Sequence, residues 1–198
     1  FSPVVKHYAK KFRAIVFDFP GHGKSTRLTK LETDFWFYNA TVANALLEEL
    51  KLEKVHVIGT SGGALVGINL AMEHPEKVKL LIADSFEGEA PLGSYIKTLR
   101  QDREKDKKKL LAKFYWWYMH GWDWKKIVDK DTEVNLVFAR TGQSFFHKPI
   151  KELQVPTLLT GSLKDEYCEH LDEIYKDLKM KNQNLEIHMF KEGKHPAM

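Results

Sequence analysis

The stretch VHVIGTSGGALVGINLAMEHP, residues 55–75, decides the fold. Val55, Val57 and Ile58 place β-branched side chains in a short apolar run, the composition of a strand. Gly59-Thr60-Ser61-Gly62-Gly63 then gathers three glycines around one serine. The apolar, Ala- and Leu-containing residues 64–74 predict a helix that Pro75 stops. The result is strand, sharp turn and helix, with the pattern G-x-S-x-G on the turn. A serine at such a corner sits in strained backbone with its neighbours pressed together, and glycines two before and two after it leave room. Its hydroxyl is pushed outward. The helix behind it offers free N–H groups and the positive end of its dipole to an oxyanion forming there. With Gly and Ser each near 7% of residues, the bare pattern arises by chance in roughly 6% of chains of this length. The placement between strand and helix therefore carries the argument. The bland alternative is a glycine-rich turn whose serine only caps the helix.

The totals bound the rest. A chain of 198 residues is long enough for one domain with a sizeable core. Apolar residues at 43% and charged residues at 29% are ordinary globular values, and a net charge of +4 does not call for nucleic acid. Cys168 is the single cysteine, which leaves no internal disulfide framework and no Cys-based zinc site. It fits a reducing, cytoplasmic compartment. No apolar run reaches eighteen residues, so no membrane span is expected.

Residues 2–11 predict a helix with Pro3 in its first turn, and RAIVFD, residues 13–18, predicts a buried parallel strand. The loop FPGHGKS, 19–25, ends in Gly-Lys-Ser like a phosphate-binding loop, but Asp18 stands where that motif needs its first glycine. His22 in this loop reads as structural. Residues 35–50 predict a helix, and the glycosylation sequon at Asn39 inside it reads as accidental. VKLLIA (78–83), VPTLLTG (155–161) and LEIHMF (185–190) predict three further strands, with a helix over 166–180 between the last two.

Between 88 and 150 the strand–helix rhythm stops. Thirteen Lys/Arg stand there against eight Asp/Glu, densest at REKDKKK (103–109), a run that reads as a solvated helix face. Four of the five tryptophans (116, 117, 122 and 124) lie in the same segment. They form either the wall of a substrate pocket or the segment's own core. They are bunched rather than spread along a basic track, which argues against base stacking on single-stranded nucleic acid.

A serine hydroxyl is a poor nucleophile at neutral pH and needs a base, which in turn needs an orienting acid. In a parallel sheet these groups gather at the carboxyl ends of strands. Of the nine histidines only His22 and His195 lie in loops just after strands, and His195, between Gly193 and Pro196, is the better base. Asp165 fits best as the acid, with Asp84 its competitor and Glu166 a weaker substitute. The order Ser61, Asp165, His195 is the one expected after a nucleophile elbow.

With DFPGHGKS (18–25), GTSGG (59–63), HPEKVKLLIADS (74–85), TGSLKDEYC (160–168) and EGKHPAM (192–198), the chain resembles the lid-bearing, serine esterase-like branch of the α/β-hydrolase superfamily. The resemblance implies an α/β fold: a mostly parallel sheet flanked by helices, with a core of 1–87 and 151–198 and a helical lid of 88–150. It implies a serine hydrolase that cleaves a small or medium carboxylic ester or thioester through an acyl-serine intermediate, with neither cofactor nor metal. Ser61 would be the nucleophile, His195 the base and then acid, Asp165 the orienter, and the Gly62 N–H one oxyanion donor. Alternatives are a hydrolase-fold binding or sensor protein with little turnover, and a C–C bond hydrolase. Ser61 argues against dehalogenases and epoxide hydrolases, which place aspartate at the elbow, and Thr60 is a mild argument against iminopeptidases. Family members also carry strands and a His-Gly loop before the first helix, and a helix after the histidine. The fold is therefore expected to be incomplete at both termini, and residues 1–198 alone to be poorly folded and nearly inactive.

Overall fold

The computed structural model describes residues 2–197, with side chains except those of Ser2 and Tyr95. Four parallel strands form one sheet in the order β1-β2-β3-β4: β1 Val55–Thr60, β2 Val78–Asp84, β3 Thr157–Ser162 and β4 Leu185–Phe190. Ile58 pairs with Ile82, Ile82 with Leu158, and Leu158 with Glu186, so the four carboxyl ends stand side by side.

Seven α-helices accompany these strands among the described residues: α1 Ser2–Tyr8, α2 Phe35–Glu49, α3 Gly62–Glu73, α4 Gly93–Asp106, α5 Leu110–His120, α6 Trp124–Thr141 and α7 Leu171–Lys181. Helix α3 packs on β1 and β2, α7 on β3 and β4, and α2 lies over α3. Gly67 permits the α3 contact, because a Cβ there would lie 2.9 Å from Leu81. The main core runs from Trp36 and Leu47 of α2 through Leu65 and Ile68 of α3 to Leu81, Leu159 and Tyr175. The opposite sheet face presents Ile58 and Leu80, both exposed, and meets Phe12, whose ring edges against His56 at 6.1 Å.

Two expectations need correcting. Residues 13–18 form no strand: among the described residues nothing pairs beside them or along the outer edge of β1, and Ile15 and Val16 are exposed. An apolar run becomes a strand only when a neighbour supplies its hydrogen bonds. The helix expected from 166 starts at Leu171, because the Asp165 carboxylate takes the Tyr167 and Cys168 N–H groups into a turn and His170 adopts φ +58°. That local side-chain competition is the ordinary way an aspartate delays a helix.

Helices α4, α5 and α6 occupy the segment between β2 and β3, and α6 packs on both others. Of its tryptophans, Trp116 and Trp124 stack at 5.4 Å and join Val128 in a small core of their own, whereas Trp117 and Trp122 are exposed. The segment is fastened to the 19–28 loop: the Gly23 N–H donates to His120 Nδ1 at 2.9 Å, Arg27 pairs with Asp123 at 2.8 Å, and Lys130 donates to the Leu28 carbonyl.

Candidate active site

Ser61 stands between the end of β1 and the start of α3, with φ +53° and ψ −126°. That backbone is strained for any side chain, and it is the conformation that exposes a serine at a corner. The Ser61 N–H donates to the Asp84 carbonyl at 2.8 Å, and its own carbonyl accepts the first helical bond from Ala64. The flanking glycines are not equivalent. A Cβ on Gly59 would meet the Gly63 carbonyl oxygen at 2.2 Å, so the strand and the helix touch backbone to backbone there. A Cβ on Gly63 would meet open space, so the room expected from both glycines is needed at only one. Gly62, the first residue of α3, carries one of the N–H groups that a helix leaves without an internal acceptor.

His195 and Asp165 reach this serine from the ends of β4 and β3. His195 Nε2 lies 2.9 Å from Ser61 Oγ, and His195 Nδ1 lies 2.9 Å from Asp165 Oδ2. A carboxylate can only accept, so Nδ1 donates to Asp165 and Nε2 is left to accept from the serine hydroxyl. Burial by itself would raise the Asp165 carboxyl; the His195 hydrogen bond and the N–H groups of Cys168 and Tyr167 outweigh it and hold the carboxyl below its usual range. The side chain of Asp165 is fully buried, while that of His195 keeps a small opening to solvent. Tyr167 edges against the imidazole at 5.2 Å.

The competing acids hold the histidine loop instead. Asp84 is fully buried, accepts from Thr160 Oγ1 at 2.7 Å, and accepts the Ala197 N–H at 3.1 Å. Glu166 accepts the His195 backbone N–H at 3.1 Å. Ser85 and Ser162, which sequence reading missed, also brace this loop: Ser85 Oγ accepts from Ala197 at 3.0 Å, and Ser162 Oγ donates to the Gly193 carbonyl at 2.8 Å. Their position at strand ends was the available signal. Glu87 was missed too. Burial pushes its carboxyl up, with its own backbone hydrogen bond and nearby His195 pulling it back down and nearby Asp165 pushing it further up. It is therefore a half-buried acid that holds its proton to higher pH than an exposed carboxyl, in the electrostatic neighbourhood of the histidine.

The 19–25 loop is closed to phosphate. Asp18 accepts the Lys24 N–H at 2.8 Å, its carbonyl accepts from Ser25 Oγ at 2.6 Å, and a Cβ on Gly23 would strike its carboxylate. An anion would face that carboxylate. His22 lies against Phe35 and 3.4 Å from Asp131 of α6. Asn39 is fully buried and its Nδ2 donates to the Phe35 carbonyl, which leaves no glycosylation acceptor. Asp165, Cys168 and His195 bring three potential metal ligands together, but Asp165 and His195 already bond each other and burial pushes the Cys168 thiol far up.

A family model described as the alpha/beta hydrolase fold matches residues 1–117. The chain belongs to the α/β-hydrolase fold family. Among curated relatives of this α/β hydrolase, the uncharacterized hydrolase YraK of Bacillus subtilis is 29% identical over 82 residues, 41% of this chain and 30% of that protein. The serine hydrolase BPHL of Homo sapiens is 25% identical over 219 aligned positions, covering 98% of this chain and 67% of BPHL. The 2-hydroxy-6-oxo-6-phenylhexa-2,4-dienoate hydrolase of Comamonas testosteroni is 31% identical over 71 residues, 36% of this chain and 24% of that enzyme. Many of these matches thus span about a quarter to a third of the relatives' lengths. The crystal structure of NosK from Streptomyces actuosus superposes with a TM-score of 0.74 at 19% identity, covering all of this chain and 83% of NosK. An esterase of Pyrococcus furiosus gives 0.65 at 20% identity, covering 98% of this chain and 66% of the esterase. At such identities the superpositions speak for the fold.

Proposed function

We propose that this α/β hydrolase is a serine hydrolase acting on a small or medium carboxylic ester or thioester. The observation that supports it is the continuous relay from Asp165 Oδ2 through both nitrogens of His195 to Ser61 Oγ, each link 2.9 Å. Ser61 Oγ attacks the acyl carbon while His195 Nε2 takes its proton. Asp165 holds the imidazole in the required tautomer and balances its charge. The oxygen that becomes negative points at the Gly62 N–H and the α3 N-terminus. His195 returns the proton to the leaving alcohol or thiol, and the acyl group stays on Ser61. A water, deprotonated by His195, then releases the carboxylic acid. Residues 88–150 act as the cap over this site in the same reading.

The deciding experiment is labelling with a fluorophosphonate probe followed by peptide mapping, alongside turnover of short acyl nitrophenyl esters. Covalent mass on Ser61 together with turnover that Ser61→Ala abolishes is the expected result. Folded protein that takes no label and turns nothing over would favour a binding or sensor protein. The Comamonas match supports a second reading, C–C bond hydrolysis through the same three residues. Turnover of a vinylogous 1,5-diketone in preference to esters would select it.

A further inference from the structure

The outer face of α5 is built the wrong way round for a helix facing water. On a wheel of 3.6 residues per turn, Leu110, Leu111, Phe114, Tyr115, Trp117 and Tyr118 share an arc of roughly 160°. All six are exposed, Leu110 at 82%, Leu111 at 86% and Tyr118 at 70%. The opposite arc carries Trp116 and Ala112, which pack on Trp124 and Val128. Just beyond the helix, Trp122 is 90% exposed. Aromatic side chains offer about 150–250 Å² each when fully exposed. Together these residues exceed the ~300–600 Å² of the largest apolar patch on a typical monomer.

The charges around the patch identify what would cover it. Each of the eight acids between 88 and 150 sits in an ion pair: Glu89 with Lys181, Asp102 with Lys105, Glu104 and Asp129 with Lys107, Asp106 with Lys109, Asp123 with Arg27, Asp131 with Arg103, and Glu133 with Arg100. Lys108, Lys113, Lys125 and Lys126 make no ion pair among the described residues. They stand before α5, on it, and just after Trp122. The patch is thus an apolar and aromatic strip, about 16 Å long at 1.5 Å per residue, with uncompensated lysines at both ends.

We propose that this face docks on an anionic lipid surface. Trp, Tyr and Lys side chains settle at headgroup level while Leu110, Leu111 and Phe114 enter the acyl boundary. The surplus lysines supply the preference for anionic over neutral headgroups. A second copy of the chain is the poorer occupant, since it would bring the same surplus cations against themselves. No described helix is long and apolar enough to cross a membrane, so the contact is peripheral. Lys109, just before α5, lies within electrostatic reach of Tyr167, whose ring edges against His195 at 5.2 Å, so docking through α5 would hold the Ser61–His195 pair near the lipid surface.

Co-sedimentation with vesicles tests this, using phosphatidylcholine alone and phosphatidylcholine mixed with phosphatidylglycerol. The protein is expected to partition about tenfold or more toward the anionic vesicles, with the preference fading as salt is raised. The double variant Leu111→Asp, Trp122→Asp is expected to lose at least about tenfold of that binding. The double variant Lys125→Glu, Lys126→Glu is expected to lose mainly the preference for anionic lipid. All four positions are exposed, and unchanged circular dichroism and thermal midpoints establish that the variants fold. Absence of binding to either vesicle overturns the proposal, as does vesicle binding that survives both double variants. A dimer seen by light scattering that Leu111→Asp, Trp122→Asp dissolves, without vesicle binding, would assign the face to a second copy. Vesicle binding does not depend on the hydrolase reading: Ser61→Ala is expected to dock like the parent protein.

Discussion

The backbone N–H of His195 donates to Glu166 Oε2 at 3.1 Å, while the ring of the same histidine bonds Asp165, the residue just before Glu166 in the chain. Two adjacent acids therefore divide one task, one orienting the imidazole and the other holding the loop that carries it. Glu166→Ala is expected to lower kcat several-fold with KM little changed, since a loosened loop misplaces the base rather than removing it. Glu166→Gln keeps an acceptor oxygen and is expected to recover most of the loss. Steady-state kinetics on a short acyl ester checks both.

Ser61→Ala and His195→Ala are each expected to lower kcat by roughly four to six orders of magnitude, and the double variant to be hardly worse. Groups that act as one unit fail together. Thermal midpoints should stay close to the parent value. Losses that multiply in the double variant would argue against a shared step.

Asp165→Asn is expected to lower kcat by about 10⁴, because an amide in place of the carboxylate favours the wrong imidazole tautomer. Asp84→Asn meets different demands, since Thr160 Oγ can rotate to accept an amide proton while the Ala197 N–H still needs an acceptor. It is expected to cost about 1–3 kcal/mol of stability and much less activity. Urea unfolding and kinetics on both variants rank the two acids, and the reverse ranking would move the orienting role to Asp84.

The elbow glycines should separate cleanly. Gly59→Ala forces a Cβ to 2.2 Å from the Gly63 carbonyl and is expected to cost more than about 3 kcal/mol or to prevent folding. Gly63→Ala meets open space inside α3 and is expected to be neutral or to stabilise by up to about 1 kcal/mol. Chemical denaturation of the two variants reads the difference directly.

His120 ties helix α5 to the 19–28 loop in a pH-dependent way. Its Nδ1 accepts the Gly23 N–H, which only an unprotonated nitrogen can do, and burial with nearby His22 and Arg27 lowers its pKa. The unfolded imidazole takes its proton near pH 6.5 and the folded one only at lower pH. Between those values the unfolded state binds the extra proton, so stability falls as the pH drops through that window. Denaturation midpoints from pH 7.5 to 5 are expected to decline more steeply in the parent protein than in His120→Asn, which retains an acceptor but does not titrate.

The residue pattern by itself determined the parallel α/β architecture, because buried strands and amphipathic helices are written in local apolar periodicity. It also singled out Ser61 through the glycines of its turn, and narrowed the candidate base and acid to short sets by their places after strands. It ranked Asp165 above Asp84 and Glu166 by its place after a strand, but position along the chain does not show which carboxylate meets the imidazole. That choice depends on which carboxylate a loop 30 residues further on brings within 2.9 Å of an imidazole. Nor could periodicity foresee that residues 13–18 would remain unpaired, since a ladder needs a neighbour that the run does not contain. The late start of α7 had the same origin: the Asp165 side chain competes for N–H groups a helix would use. The aromatic residues of the 88–150 segment were visible in sequence, but only tertiary packing sorted Trp116 and Trp124 into a core and left the Leu111 and Trp122 face bare. Local propensity sets elements, and the hydrogen-bond and burial demands of distant segments decide which residues meet.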